Sequence, residues 1–347
     1  MIIYDNIIYS LQKSGGISVY WKILEDLIQI NNRLVYKGRE KNIFYTKRQN
    51  EIFVNSNLLF ERYKNLKFKE DCIEPFIFHS SYYRYCKNKN AINITTVHDF
   101  TYELFRKDLK SNLHKIQKKN AVMHSDGVIC ISENTKRDLY KYYPNYKGQV
   151  RVIYHGYDNK TFNYRNNNQR TKNVLFVGSR ANYKGFDFTI NLISKLPSLR
   201  LKIIGGGTLS ENEKRKLDTL LPQRYEYLGF VSNENLANLY NESFTLFYPS
   251  EYEGFGFPII EAQACGCPVI CQAKSCIPEV SGDKCIYVDS SDFNKSILEI
   301  KKLENMEFYK NLQNEGLQNV KRFSWDKCIQ ETQDFYNDLY NRYSNKY

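Results

Sequence analysis

The sequence predicts an α/β protein made of two doubly wound parallel-sheet domains that face a central cleft. Three observations carry that expectation. Short apolar strands alternate with helical stretches in both halves of the chain; a polar, aperiodic segment, Asn163 to Lys172, separates the two series; and glycine clusters stand where strands give way to helices. At 347 residues the chain is long enough for two domains of ordinary size, each able to bury its own core. The expected domains are residues 1–165 and 166–324, followed by a terminal segment, 325–347.

The first domain opens with apolar Ile2 to Tyr9, read as a strand, and the turn Ser14-Gly15-Gly16. Ile17, Tyr20, Trp21, Leu24, Leu27 and Ile28 then repeat at helical spacing, so the unit is strand, glycine turn, helix. Further strands are expected at Phe76 to Phe78, Ile92 to Val97, Val128 to Ile131 and Val150 to Tyr154. After the linker the alternation restarts at Val174 to Val177, Leu201 to Ile204 and Tyr225 to Leu228. It continues through Phe244 to Tyr248, Pro268 to Cys271 and Cys285 to Val288. Short buried strands with helices between them predict parallel sheets, and in such sheets ligands bind beyond the carboxyl ends of strands. From Trp325 onward, Cys328, Ile329, Phe335 and Leu339 recur at roughly helical intervals and read as the packing stripe of a final helix.

With 42% hydrophobic and 25% charged residues the composition is globular. No apolar run reaches the length of a membrane span; the uncharged stretch between Glu261 and Lys274 is interrupted by Gly266 and Pro268. The amino terminus has Asp5 and no basic region ahead of an apolar one, so no secretory signal is expected and the reading is cytoplasmic. Nine cysteines without a C-x-x-C read as free thiols in a reducing compartment. Five of them, Cys265, Cys267, Cys271, Cys276 and Cys285, crowd together but fit no zinc spacing, so no metal site is expected.

The formal charge is +12, with basic residues concentrated at Arg62 to Lys69 and Arg106 to Lys119. A solvated helix face accounts for such runs; the functional alternatives are an anionic membrane surface and nucleic acid. No nucleic-acid motif accompanies the charge, which puts peripheral contact with an anionic membrane ahead and leaves no nucleic acid among the expected partners.

Four places in this reading fall at strand ends. Ser14-Gly15-Gly16 follows the first strand; Gly178-Ser179-Arg180 with Lys184 opens the second domain's first turn; Gly205-Gly206-Gly207 ends the next strand; Glu253 to Glu261 follows the strand that ends near Tyr248. Glycines there let backbone N–H groups approach an anion, and the following helix adds the positive end of its dipole. Arg180 and Lys184 add full positive charges, so a diphosphate is the natural occupant. Each turn alone is commonplace, since glycines close ordinary strand-to-helix turns. The two glutamates add what a bare phosphate site lacks. Glu253 is expected on the glycine-rich loop and Glu261 in the first turn of the helix that Pro258 opens. One carboxylate can accept from both hydroxyls of a ribose, and the other can hold the hydroxyls of whatever the diphosphate carries.

That segment resembles the E-x7-E signature of the family 4 retaining glycosyltransferases, which have the GT-B fold of two Rossmann-like domains. It continues as those enzymes do through Glu261-Ala262, Gly266-Cys267-Pro268-Val269 and Pro278-Glu279-Val280. Similar stretches are Gly15-Gly16, Thr96-Val97-His98-Asp99, Ile131-Ser132-Glu133-Asn134-Thr135-Lys136, Val152-Ile153-Tyr154-His155-Gly156, Phe176-Val177-Gly178-Ser179-Arg180, Leu228-Gly229-Phe230-Val231 and Phe323-Ser324-Trp325. The likeness runs in order over nearly the whole chain. It is nearest to the branch that builds bacterial surface polysaccharides such as O-antigen and capsule, often mannosyltransferases.

The resemblance implies that Glu261 holds the donor ribose and Glu253 the hydroxyls of the transferred sugar. Arg180 and Lys184 would neutralise the diphosphate, although the lysine stands four positions after the arginine where many such enzymes have five. Backbone N–H groups of Gly16, Gly254, Phe255 and Gly256 would complete the cradle, with Gly15, Gly178 and Gly205 shaping it. His98 would lie near the transferred sugar, and Val231 where the base is met by backbone. The implied partners are a nucleotide-sugar donor, GDP-mannose first with another GDP-sugar or a UDP-hexose behind it, and a glycan acceptor on a polyprenyl diphosphate. No cofactor is implied, and the lack of any Asp-x-Asp agrees with a metal-independent enzyme. The terminal segment would cross back onto the first domain. A sugar-nucleotide epimerase or hydrolase of the same fold is the alternative enzyme, and a nucleotide-sugar-binding interaction module the alternative of another class. The joint presence of Glu253, Glu261, Arg180 and Lys184 counts against the module.

Overall fold

Strand pairing builds one parallel sheet from the first half of the chain and a second from the other half, in a computed structural model that describes residues 1–36, 42–54, 61–68, 74–165 and 170–344. Lys69 of the first basic run and residues 166–169 of the expected linker lie outside the described residues. The first sheet contains β1 (Ile2–Asp5), β2 (Asn32–Tyr36), β3 (Glu51–Val54), β4 (Phe76–Ser80), β5 (Ala91–Val97), β6 (Gly127–Cys130) and β7 (Gln149–Val152), in the order β3-β2-β1-β4-β5-β6-β7. The second contains β8 (Asn173–Val177), β9 (Arg200–Ile204), β10 (Tyr225–Gly229), β11 (Thr245–Tyr248), β12 (Val269–Cys271) and β13 (Ile286–Tyr287), in the order β10-β9-β8-β11-β12-β13. Every pairing is parallel. In each sheet the order reverses beside its first strand, which is the Rossmann-like arrangement with its switch point at that strand's carboxyl end.

The helices that bear on function are α1 (Gly16–Leu27), α2 (Thr101–Phe105), α3 (Leu109–Met123), α4 (Phe186–Ser194), α5 (Glu211–Leu220), α6 (Asn233–Glu242), α7 (Phe257–Ala264) and α8 (Trp325–Ser344). The chain divides into two compact units, Met1–Gly156 with Ser324–Tyr347, and Tyr157–Phe323. The division falls between Gly156 and Tyr157 rather than at residue 165, because the expected linker is fixed to the second unit. Arg165 N–H donates to Asn241 Oδ1 (2.9 Å), and Arg170 donates to the carbonyls of Ser243 (3.0 Å) and Gly266 (2.6 Å).

The apolar stripe of α8 packs in the first unit. Cys328, Ile329, Phe335, Tyr336 and Leu339 share one core with Tyr4, Trp21, Ile92, Ile94 and Ile129. A Cβ at Gly127 would meet Leu339 Cδ1 at 2.5 Å and Phe335 Cζ at 2.8 Å, so strand and helix approach as closely as a missing side chain allows. The apolar run Ile2 to Tyr9 is not one strand. It ends at Asp5, after which Asn6 Oδ1 accepts from Trp21 Nε1 (2.6 Å) and Ile8 N–H donates to Ser81 Oγ (3.0 Å), turning the chain into a short helix, Ile8–Leu11.

Asp5 closes the switch point of the first sheet. Its carboxylate receives Arg84 Nε (2.9 Å) and Nη2 (2.7 Å) in a two-pronged pair, with Ser80 Oγ at 2.7 Å, and both charged side chains are fully buried. Arg84 also donates to Tyr36 Oη and to the Glu61 carbonyl (2.9 Å), so one guanidinium ties the ends of β1, β2 and β4. Arg84→Ala leaves a buried carboxylate without its counter-charge and is expected to destabilise this unit by about 3–5 kcal/mol. Urea unfolding followed by tryptophan fluorescence reads the unit selectively, because both tryptophans, Trp21 and Trp325, lie in it. Adding Asp5→Leu should recover much of the loss, and an unchanged midpoint in the single variant would refute the account.

Candidate active site

In the second unit the switch point lies between β8 and β11, which pair through Thr245↔Val174 and Leu246↔Leu175. The loop after β8 carries Gly178, Arg180 and Lys184; the loop after β11 carries Glu253 and leads to Glu261. Parallel pairing makes both loops leave the same edge of the sheet, so cations and carboxylates meet there. Backbone contact fixes the meeting: Glu251 N–H donates to the Tyr183 carbonyl at 2.7 Å. Asn182–Lys184 forms one 3-10 turn, ended by Gly185 at φ 71°, where a Cβ would stand 2.7 Å from the Pro249 carbonyl. Only glycine fits that turn.

Lys184 Nζ lies 2.5 Å from Glu253 Oε1, with both side chains largely buried. Glu253 is held from behind, its N–H donating to Ser275 Oγ (2.9 Å) while Cys276 Sγ donates to the carbonyls of Glu253 (3.2 Å) and Phe255 (3.3 Å). Arg180 is already occupied. Its Nε donates to Glu213 Oε1 on α5 (2.8 Å), and its terminal nitrogens donate to the carbonyls of Gly205 (2.9 Å), Gly207 (2.9 Å) and Thr208 (2.7 Å). The guanidinium thus shapes the glycine turn after β9. Gly206 sits at φ 76°, and a Cβ there would reach 2.5 Å from Arg180 Nη1.

Glu261 does not stand in the first helical turn. Gly256, in the left-handed region at φ 92°, caps α7, so the helix begins at Phe257 and Glu261 is its fifth residue. Its carboxylate is half-buried and accepts from Tyr240 Oη of α6 at 3.4 Å. Burial raises this carboxyl to about 7, against the hydrogen bond from Tyr240, which lowers it. Phe255 turns its ring against Phe257 and Phe323, centroids 5.4 and 5.6 Å away. Gly178 has open space where a Cβ would stand. Val231 is half-buried between β10 and α6, next to Phe230, which is 82% exposed.

The remaining residues belong to the first unit. Gly15 and Gly16 are exposed at the start of α1, whose first turn carries no acidic side chain. His98 follows β5 and is half-buried; its ring lies 5.6 Å from Tyr20 of α1 and 5.9 Å from His155, and Tyr20 is 4.6 Å from His155. Burial depresses His98 to about 4, opposed by Asp99, so the imidazole is neutral at pH 7. Behind it, Tyr20 Oη contacts Thr96 Oγ1 (3.3 Å), which contacts His79 Nε2 (2.9 Å), whose Nδ1 meets Tyr336 Oη of α8 (2.6 Å). A cavity of about 580 Å³ lined by Glu25, Arg33, Arg48 and neighbours lies at the amino ends of β2 and β3, away from all of these residues' loops.

Residues 28–160 match the family described as Glycosyltransferase Family 4, and residues 158–319 the one described as Glycosyl transferases group 1. An uncharacterized glycosyltransferase of Methanocaldococcus jannaschii is 30% identical over 260 residues, 73% of this chain and 70% of that protein. The chain belongs to the family 4 glycosyltransferases. The O-antigen chain mannosyltransferase B of Escherichia coli is 40% identical over 111 residues, 32% of this chain and 29% of that protein. Among solved structures, Anabaena HepE in complex with UDP and glucose has a TM-score of 0.72 over 97% of this chain and 99% of that one, at 13% identity. Sucrose-phosphate synthase of Thermosynechococcus elongatus has a TM-score of 0.64 over 77% of this chain and 74% of that one, at 22% identity. The fold is GT-B.

Several partners in this candidate site escape a reading of the sequence. Glu213 is visible there only as the fourth residue of Ser210-Glu211-Asn212-Glu213, a helix-capping pattern that the structure realises in full, and its second bond to Arg180 leaves no local trace. Tyr240 and Ser275 likewise reach the two glutamates from other elements. The raised Glu261 carboxyl has a measurable consequence. The folded chain holds a proton there that the unfolded chain releases near 4.5, so ionisation costs stability increasingly from pH 4.5 to 7 and fully above. The midpoint gap between Glu261→Gln and wild type, read by differential scanning calorimetry, should therefore shift in favour of the variant from pH 5 to pH 8. An equal gap at both would show an ordinary carboxyl.

Proposed function

We propose that the protein is a retaining, metal-independent hexosyltransferase that moves mannose from GDP-mannose to a growing glycan on a polyprenyl diphosphate, in the building of a bacterial surface polysaccharide. The observation that carries the reading is the meeting of the Gly178–Lys184 and Glu253–Glu261 segments at the switch point of the second sheet, with Lys184 2.5 Å from Glu253. The mannose and O-antigen elements draw support from the 111-residue match to O-antigen chain mannosyltransferase B.

A nucleoside diphosphate leaves with concentrated negative charge, so the largest catalytic contribution falls to cations and preorganised N–H donors that meet it as the glycosidic bond breaks. Lys184 supplies one charge. In the unliganded chain Glu253 balances it, and on donor binding that carboxylate turns to the sugar hydroxyls while the ammonium meets the phosphate. Arg180 contributes through its charge and through the glycine turn it organises. Glu261 accepts from the ribose hydroxyls. With both glutamates used in binding, neither serves as a nucleophile, and retention follows from attack on the face the diphosphate leaves, the departing phosphate taking the acceptor proton. Neutral His98 orients the sugar by hydrogen bonding rather than by charge. The protein works at the inner face of the cytoplasmic membrane, held there peripherally; among the described residues no helix is long and apolar enough to cross a membrane.

Calorimetric titration with nucleoside diphosphates and their sugars, with and without EDTA, tests the donor. Tight, EDTA-indifferent binding of GDP over UDP is expected; preference for UDP would overturn the mannose assignment, and no nucleotide binding at all would overturn the enzyme. Glu261→Ala should mainly weaken nucleotide affinity, whereas Lys184→Met should lower kcat about 100-fold at little cost in affinity. Matched affinity losses without a rate effect would contradict these roles.

A further inference from the structure

Helix α3 is built inside out. Its buried face consists of Ser111, His114, Gln117, Lys118, Ala121 and Val122, while Leu109, Leu113, Ile116 and Met123 point outward, exposed by 87%, 43%, 57% and 39%. These four recur at helical spacing and form one apolar stripe facing solvent, the reverse of a helix that packs by its leucines. Most of the inward polar groups find partners, which fixes the orientation. Lys118, with no exposed surface, donates to Glu103 Oε2 (2.8 Å) and the Asp99 carbonyl (2.8 Å) and lies 4.5 Å from the centre of the Phe100 ring. His114 Nδ1 meets Tyr82 Oη at 2.8 Å, and Gln117 donates to the Arg62 carbonyl.

The neighbouring α2 continues the outward apolar surface. Tyr102, Leu104 and Phe105 are 38%, 37% and 41% exposed, and α2 lies along α3 through the Tyr102–His114 ring contact (4.0 Å) and the Glu103–Lys118 pair. Charge around the stripe is predominantly basic. Arg106, Lys107, Lys110 and Lys119 are exposed, and Lys115 is half-buried. The acids of the region are engaged locally: Asp99 accepts from Thr101 N–H (2.9 Å), Asp108 caps α3 through Ser111 N–H (3.0 Å), and Glu103 pairs with Lys118.

We infer that the outward face of α2 and α3 is a membrane-docking surface, with the aliphatic tips of Leu109, Leu113 and Ile116 seated at the acyl boundary of an anionic bilayer and the surrounding lysines and arginines among its headgroups. A bilayer is the occupant that uses both features at once, apolar insertion and attraction of basic groups to anionic lipid. Nucleic acid would leave the aliphatic stripe in water, and a second copy of a chain with formal charge +12 would bring two basic faces together. The inference deepens the proposed peripheral membrane role and rests on it for its biological sense, although the binding itself does not depend on which sugar is transferred.

The test is sedimentation of the full chain with vesicles of phosphatidylglycerol and phosphatidylcholine in equal parts, against pure phosphatidylcholine. Wild type should bind the anionic vesicles and lose affinity as salt is raised. The triple variant Leu109→Ser, Leu113→Ser, Ile116→Ser keeps every charge and should bind about tenfold more weakly; Lys110→Gln with Lys119→Gln should weaken binding mainly at low salt. Nucleotide affinity measured on the same preparations separates the two readings. Variants that lose vesicles but keep nucleotide confirm the surface, and a wild type that binds vesicles but no nucleotide keeps the surface while sinking the transferase. The inference is overturned if wild type ignores anionic vesicles, if the triple variant binds as wild type does, or if the chain is a dimer that the triple variant dissociates, which would assign the face to a second copy.

Discussion

The parallel pairing of β8 with β11 is the constraint on which the second unit's chemistry depends. Both strands are short and largely buried, and together they decide only that two loops begin side by side. Much of the specific geometry is then built within those loops. Gly185 lets the first turn approach Pro249, the Glu251–Tyr183 backbone bond locks the approach, and Lys184 and Glu253 end as each other's counter-charge. Either charge alone in that half-buried place would be costly. Held as a pair, each supplies the counter-charge the other needs in that place.

The second sheet was the most legible part of the sequence, because most of its strands are apolar runs bounded by turns. Two strands of the first sheet were not. β2 carries Arg33 as its second residue, and this charged residue is buried, its guanidinium paired with Glu25 (2.8 Å) and Glu51. A buried ion pair satisfied by partners on other elements looks, in one dimension, like an exposed charge. β3 is an edge strand whose Ile52 and Phe53 stay 42% and 61% exposed, so it lacks the alternation of a half-buried strand. The glutamates, glycines and cations of the site were legible as residues at strand ends. Their partners were not: Arg180 finds Glu213 from 33 positions away, and nothing local foretells it.

Helix α3 marks another limit of the same kind. Periodicity locates an apolar stripe on a helix but says nothing of which way the stripe faces. That is decided by the opposite face, where Lys118, His114 and Gln117 find hydrogen-bond partners inside. The buried polar chain from Tyr20 through Thr96 and His79 to Tyr336 shows the same logic in the core of the first unit, where four separate elements are registered by hydrogen bonds rather than by apolar packing alone.

The second unit is one continuous stretch, Tyr157–Phe323, while the first is assembled from two, Met1–Gly156 and Ser324–Tyr347. Its core is incomplete without Phe335, Tyr336 and Leu339, and Gly127 has kept no side chain of its own where the rings and methyls of α8 press in. A ribosome delivers the first unit's sheet before the second unit and α8 after it. Synthesis and completion therefore run in opposite orders: the first unit is begun before the second and completed after it, its apolar flank waiting for α8 to cover it.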